Sequence, residues 1–151
     1  MGSERALHPG REDVVVGYVS DLYELLHAID ETMPTNSILY LEGTSIVQEV
    51  KDFLSAHQAA ESREVEPNTR WPRPHTFHLP LEGTNLTELR QIADRYAEPE
   101  ICDHLVVYRG DAVLLWAHDA GYGYVSVSRS LPDEITTPFQ DVLGAALRRS
   151  N

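Results

Sequence analysis

Residues 41–49, Leu-Glu-Gly-Thr-Ser-Ile-Val-Gln-Glu, and residues 81–89, Leu-Glu-Gly-Thr-Asn-Leu-Thr-Glu-Leu, repeat the tetrapeptide Leu-Glu-Gly-Thr between a strand-like run and a helix-like run. Upstream lie Ser37 to Leu41 and His75 to Leu81, with strand composition. Downstream, Ile46, Val50, Phe53 and Leu54, and then Leu86, Leu89, Ile92, Ala93 and Tyr96, recur at helical spacing. Gly43 and Gly83 suit a sharp turn, and Ser45 with Gln48 and Asn85 with Glu88 have capping-box spacing, each cap contributing about 1 kcal/mol. A helix N-terminus also attracts phosphate, but neither copy has a nucleotide loop's glycine spacing. Glu42 and Glu82 would oppose an anion there, so the repeat reads as architecture: two β-α units.

Working outward, Val14, Val15, Tyr18, Val19, Leu22, Leu25, Leu26 and Ile29 suit an amphipathic helix ending before Pro34, although Val14 to Val16 also suit the start of a strand. Gln58 to Pro74, polar and broken by prolines, reads as the longest surface connection, with Trp71 pinning it to the body. Three β-rich runs follow, Asp103 to Arg109, Ala112 to His118 and Tyr122 to Ser130, as an antiparallel meander. Gly110-Asp111 fits a two-residue type II′ loop, which sets Tyr108 against Val113, Val106 against Leu115 and Asp103 against His118. A four-residue turn over Asp119 to Tyr122 would place Val125 and Val127 beside Trp116 and Leu114, and the serine alternation of the last run suits an edge strand. Pro132 opens a final helix carrying Ile135, Phe139, Val142, Leu143 and Leu147.

The expected fold class is therefore α+β, in the order α-β-α-β-α-β-β-β-α. It has a mixed sheet of about five strands with an antiparallel C-terminal meander, and about four helices. Residues 1–12 read as a flexible N-terminus and 13–151 as a single domain.

Twenty-four acidic against twelve basic residues give a formal charge of −12, which argues against nucleic-acid and anionic-membrane binding and suits a basic protein partner. The lone Cys102 forms no internal disulfide, and the chain shows neither a cleavable apolar signal nor a run of membrane-spanning length, so a cytoplasmic location is expected. A homo-oligomer formed through an open sheet edge is compatible with any of these readings.

For chemistry, Asp103 with His118 is the candidate general acid-base pair, near Cys102, Asp119 and Tyr122, but a nucleophile and oxyanion donors are missing from the pattern. Trp116, Tyr122 and Tyr124 are candidates for lining a small-ligand cleft. His104, His118, Asp119 and Cys102 are suitable metal ligands at a spacing that matches no established motif, and His75 and His78, three apart on a strand, point to opposite faces; no metal and no cofactor is expected. These patterns favour a noncatalytic interaction or regulatory protein, in its sharper form an inhibitor or immunity-type protein for a basic partner, over a small enzyme or a ligand-binding protein.

Overall fold

The computed structural model describes residues 6–8, 13–19, 21–67, 69, 71–120 and 122–150. Six strands, β1 (Asp13–Val19), β2 (Ile38–Gly43), β3 (His75–Pro80), β4 (His104–Arg109), β5 (Ala112–Ala117) and β6 (Gly123–Ser128), form one sheet in the order β1-β6-β5-β4-β2-β3. Every pairing is antiparallel. Among the described residues four α-helices, α1 (Leu22–Thr32), α2 (Gln48–Ala56), α3 (Asn85–Ala93) and α4 (Asp133–Ser150), and a short 3-10 turn at Glu98–Glu100 complete an α+β fold. Among the described residues no helix is long and apolar enough to cross a membrane.

Two expectations change. The sheet is antiparallel throughout instead of mixed, because the connection after β2 leaves and re-enters at the same end of the sheet: Gly43, the last residue of β2, lies opposite His75, the first of β3. β3 therefore runs back against β2, with Leu39 opposite Leu79 and Leu41 opposite Phe77. There is also a sixth strand: Asp13–Val19 is β1, and the first helix starts only at Leu22. Three successive β-branched valines followed by Gly17 oppose a helix there, the glycine alone by about 1 kcal/mol. Asp21 then stops the strand and caps α1, accepting a hydrogen bond from the Tyr23 amide at 2.9 Å.

The main core lies on one face of the sheet. Leu39, Leu41, Leu79, Leu105, Val107, Leu115, Val125 and Val127 pack there with Leu25, Leu26 and Ile29 of α1, Val50 and Leu54 of α2, Leu86 and Leu89 of α3, and Phe139 and Leu143 of α4. Leu147, expected on the same helix face, lies outside the residues whose side chains are described. The opposite face carries a smaller cluster of Leu7, Tyr40, Val65, Val106 and Tyr108. Within the N-terminal dozen, Leu7 is buried and bridges Val65; the rest of that stretch, apart from Ala6 and His8, lies outside the described residues.

The long connection is fastened along the open edge of β3 and over this second face by named contacts. Ala59 N–H donates to the His78 carbonyl, Arg63 N–H to the Tyr108 hydroxyl and Thr69 N–H to Glu42 Oε2, while His78 N–H donates to Gln58 Oε1. Trp71 takes no part in the fastening: 87% of it is exposed, and Val65, at 4%, supplies the apolar anchor in its place.

Both Leu-Glu-Gly-Thr copies do lie between a strand and a helix, but they are not equivalent and neither forms the expected capping box. Leu41, Glu42 and Gly43 finish β2, whereas Leu81 to Thr84 follow β3. Helix α2 begins after Val47 and α3 after Thr84, each without a side-chain cap. Gln48 instead bonds Asp52, Asn85 bonds the Pro80 carbonyl, and Glu88 accepts from the Thr84 hydroxyl. Gly83 has φ +63, the left-handed turn its residue type suggests. Gly43 is needed for closeness: a Cβ there would stand 3.0 Å from Ile46 Cγ1 and 3.3 Å from the Asp103 amide nitrogen.

Candidate functional site

The β4-β5 hairpin turns through Gly110-Asp111, with Arg109 opposite Ala112, Tyr108 opposite Val113 and Gly110 at φ +58. Beyond that point the register departs from expectation, because Val107 pairs with Leu115 and leaves Leu114 as an extra residue. Val106 therefore faces Trp116, and His104 instead of Asp103 comes level with His118. Val113, Leu114, Leu115 and Trp116 are all apolar, so the alternation that normally sets register is missing from this run. The next pairing slips likewise: Trp116 lies opposite Ser126, while Leu115 and Ala117 lie opposite Val127 and Val125. β6 is interior, paired with β1 and β5, so its serine alternation marks the sheet's second face and not an edge.

The bulge builds a compact polar corner. The His104 and His118 rings stack with centroids 4.3 Å apart and planes 9° from parallel. Asp119, at φ 56, turns its amide back to donate to His104 Nδ1 at 2.9 Å, so the His104 ring carries its proton on Nε2. The Asp119 carboxylate lies 3.9 Å from His104 Nδ1 and 3.6 Å from His118 Nε2. Burial, and then the neighbouring His118, push His104 below the ordinary histidine value; the carboxylates of Glu42, Asp119 and Asp103 offset this in part. Gly123 closes the turn, since a Cβ there would meet the His118 carbonyl at 2.8 Å.

Asp103 is occupied elsewhere. Its Oδ2 accepts from the Thr44 amide at 3.1 Å and lies 3.4 Å from the Thr44 hydroxyl, while its own amide donates to the Glu42 carbonyl. The structure thus ties Asp103 to the first glycine corner and gives His118 a histidine and Asp119 as neighbours. Cys102 is buried, and burial followed by the charge of Asp103 pushes its thiol far up, away from the reactive thiolate.

Beside this corner two depressions adjoin at Glu98 and Pro99. The larger, about 490 Å³, is lined by Asp21, Tyr23, Asp94 and Tyr96 among others, and the smaller, about 140 Å³, by Cys102, Asp103, Asp119 and Tyr122. Tyr122 alone of the three aromatic candidates lines the smaller one. Tyr122 and Tyr124 stand exposed and edge-on to Tyr18, with centroids 5.5 and 5.2 Å away. Trp116 is half-buried over the second-face cluster, its indole nitrogen without a hydrogen-bond partner among the described residues. Burial pushes the Glu98 carboxyl up; a hydrogen bond from the Leu22 amide opposes this and the charge of Asp21 adds to it.

A polar network under the long connection escaped sequence reasoning. Glu42 is fully buried and accepts from the Tyr40 hydroxyl and the Thr69 amide, each at 2.8 Å. His78 Nδ1 and the Tyr108 hydroxyl are 2.8 Å apart, and burial pushes His78 below the ordinary histidine value. The alternation of Tyr40 with Leu39 and Leu41, and of His78 with Phe77 and Leu79, was the available signal: both polar residues share the face opposite the helices. Compared with family models, curated proteins and solved structures, the chain matches none.

Proposed function

We propose that this protein is a noncatalytic binding protein that docks a positively charged stretch of another protein along the groove running from Asp21 past Glu98 to Tyr122. The observation that carries this reading is the lining of the two adjoining depressions, which includes Asp21, Asp94, Glu98, Asp103 and Asp119 with three tyrosines and, among the described residues, has no lysine, arginine or histidine. The chain's charge of −12 acts in the same direction at long range. The tyrosines suit such a ligand, because cations are drawn to aromatic faces. Tyr23 and Tyr96 already hold the chain's own guanidinium groups, those of Arg90 at 5.4 Å and Arg95 at 5.8 Å, which leaves the exposed Tyr122 to meet the partner's. An inhibitor or immunity-type role is the specific form in which such docking would silence a basic partner.

The test compares two charge-matched double variants in binding an arginine-rich synthetic peptide. Asp21→Asn with Glu98→Gln removes two groove charges while retaining side chains able to cap α1 and to accept from Leu22. Glu61→Gln with Glu64→Gln removes two charges on the long connection. The groove variant is expected to weaken binding by about fivefold and to flatten its salt dependence, with a smaller effect from the control. Equal losses would mean that the peptide senses net charge alone, and the groove reading would be abandoned.

A further inference from the structure

We propose that His104, His118 and Asp119 form a site for a divalent transition-metal ion such as Zn²⁺. Each presents one ligand atom, and these atoms all lie within 4.8 Å of one another. Two imidazoles and a carboxylate are a donor set for borderline ions, leaving a fourth position to solvent. With metal–ligand bonds of about 2.0–2.1 Å, ligand atoms around a tetrahedral ion lie about 3.4 Å apart. The Asp119 carboxylate spans the two rings, with Oδ1 3.9 Å from His104 Nδ1 and Oδ2 3.6 Å from His118 Nε2, so the ligand atoms start close together and are drawn in by side-chain rotation as the ion binds. Asp119 belongs both to this site and to the lining of the smaller depression, but zinc binding and peptide binding are read separately, so the failure of either leaves the other standing.

The structure also fixes what loading must change. His104 Nδ1 is held by the Asp119 amide, so the ion and that amide compete for one lone pair. His104, buried at the start of β4, is the fixed ligand. His118 and Asp119 have side chains 51% and 62% exposed and supply the movement. In the nearly parallel stack the two rings' in-plane lone pairs do not converge, so His118 must rotate out of it as the ion enters. The released Asp119 amide belongs to an exposed turn, where water replaces its acceptor.

The experiment titrates Zn²⁺ into the full chain after removal of metal by chelator, following heat by calorimetry and the Asp119 amide by NMR. About one equivalent is expected to bind, with a shift of the Asp119 amide resonance. His118→Ala should weaken affinity by at least about tenfold. Asp119→Asn, which tolerates the left-handed backbone, should weaken it while preserving the turn. Both positions are exposed, so the variants retain the fold, which far-ultraviolet circular dichroism verifies. Absence of saturable binding, an isotherm unchanged in His118→Ala, or binding that leaves the Asp119 amide unmoved would each overturn the proposal; the last two would place the ion on other histidines.

Discussion

Replacing Tyr108 by phenylalanine tests how the long connection is held to the second face. The ring is buried, 1% exposed, and stays in place, so the substitution removes only the hydroxyl. That hydroxyl accepts from the Arg63 amide at 3.1 Å and shares a second hydrogen bond with His78 Nδ1 at 2.8 Å. Each bond contributes about 1 kcal/mol net, so the pair should cost about 2 kcal/mol. For a chain of this size that lowers the melting temperature by about 6 °C. Urea unfolding should show a lower midpoint at an unchanged slope, because the area exposed on unfolding is the same. The Arg63 amide should exchange faster with solvent, reporting local release of the connection. A loss below about 0.5 kcal/mol with Arg63 protection intact would refute this account and shift the fastening to Val65 and Thr69.

Two other outcomes follow from the same face of the sheet. His78 and His104 are both pushed below the ordinary histidine value in the folded chain, each by burial first. The unfolded chain therefore binds the extra protons more readily, so the stability contributed by the neutral rings is complete above about pH 6.5 and is lost as pH falls toward their folded values. Urea midpoints from about pH 8 to pH 5 should fall; identical profiles for the wild type, His78→Gln and His104→Gln would rule out this source. Val65→Ala should cost about 2 kcal/mol and Trp71→Ala less than about 0.5, by thermal or urea unfolding, given exposures of 4% and 87%. The reverse ranking would show that the tryptophan anchors the connection after all.

Strong local signals in the sequence survive in the structure. Helix α4 carries Phe139 and Leu143 into the core as their spacing requires, and the Gly110-Asp111 loop is where its dipeptide puts it. What escaped was set by longer-range geometry. The direction of β3 depends on the end of the sheet at which the chain re-enters, with His75 opposite Gly43, which no periodicity records. The same is true of Glu42, which reads as a turn carboxylate beside Gly43 but ends buried against Tyr40 and Thr69. The glycine corners show the limit of motif reading: Thr44 answers Asp103, a residue remote in sequence, where local spacing favoured Ser45 and Gln48. Of the candidate site, Asp119, His118 and Tyr122 were individually visible, but their relation to His104 was not, since one bulge in an all-apolar run controls it.

Leu114 gives that control a wider meaning. Successive strand residues look to opposite sides, so one supernumerary position transfers everything after it, sending Leu115 toward the helices and Trp116 away from them. The meeting of two imidazoles at the far end is thus dictated by arithmetic along the backbone. A homologue could retain both histidines and still dissolve the corner by gaining or losing a single unit of chain between them.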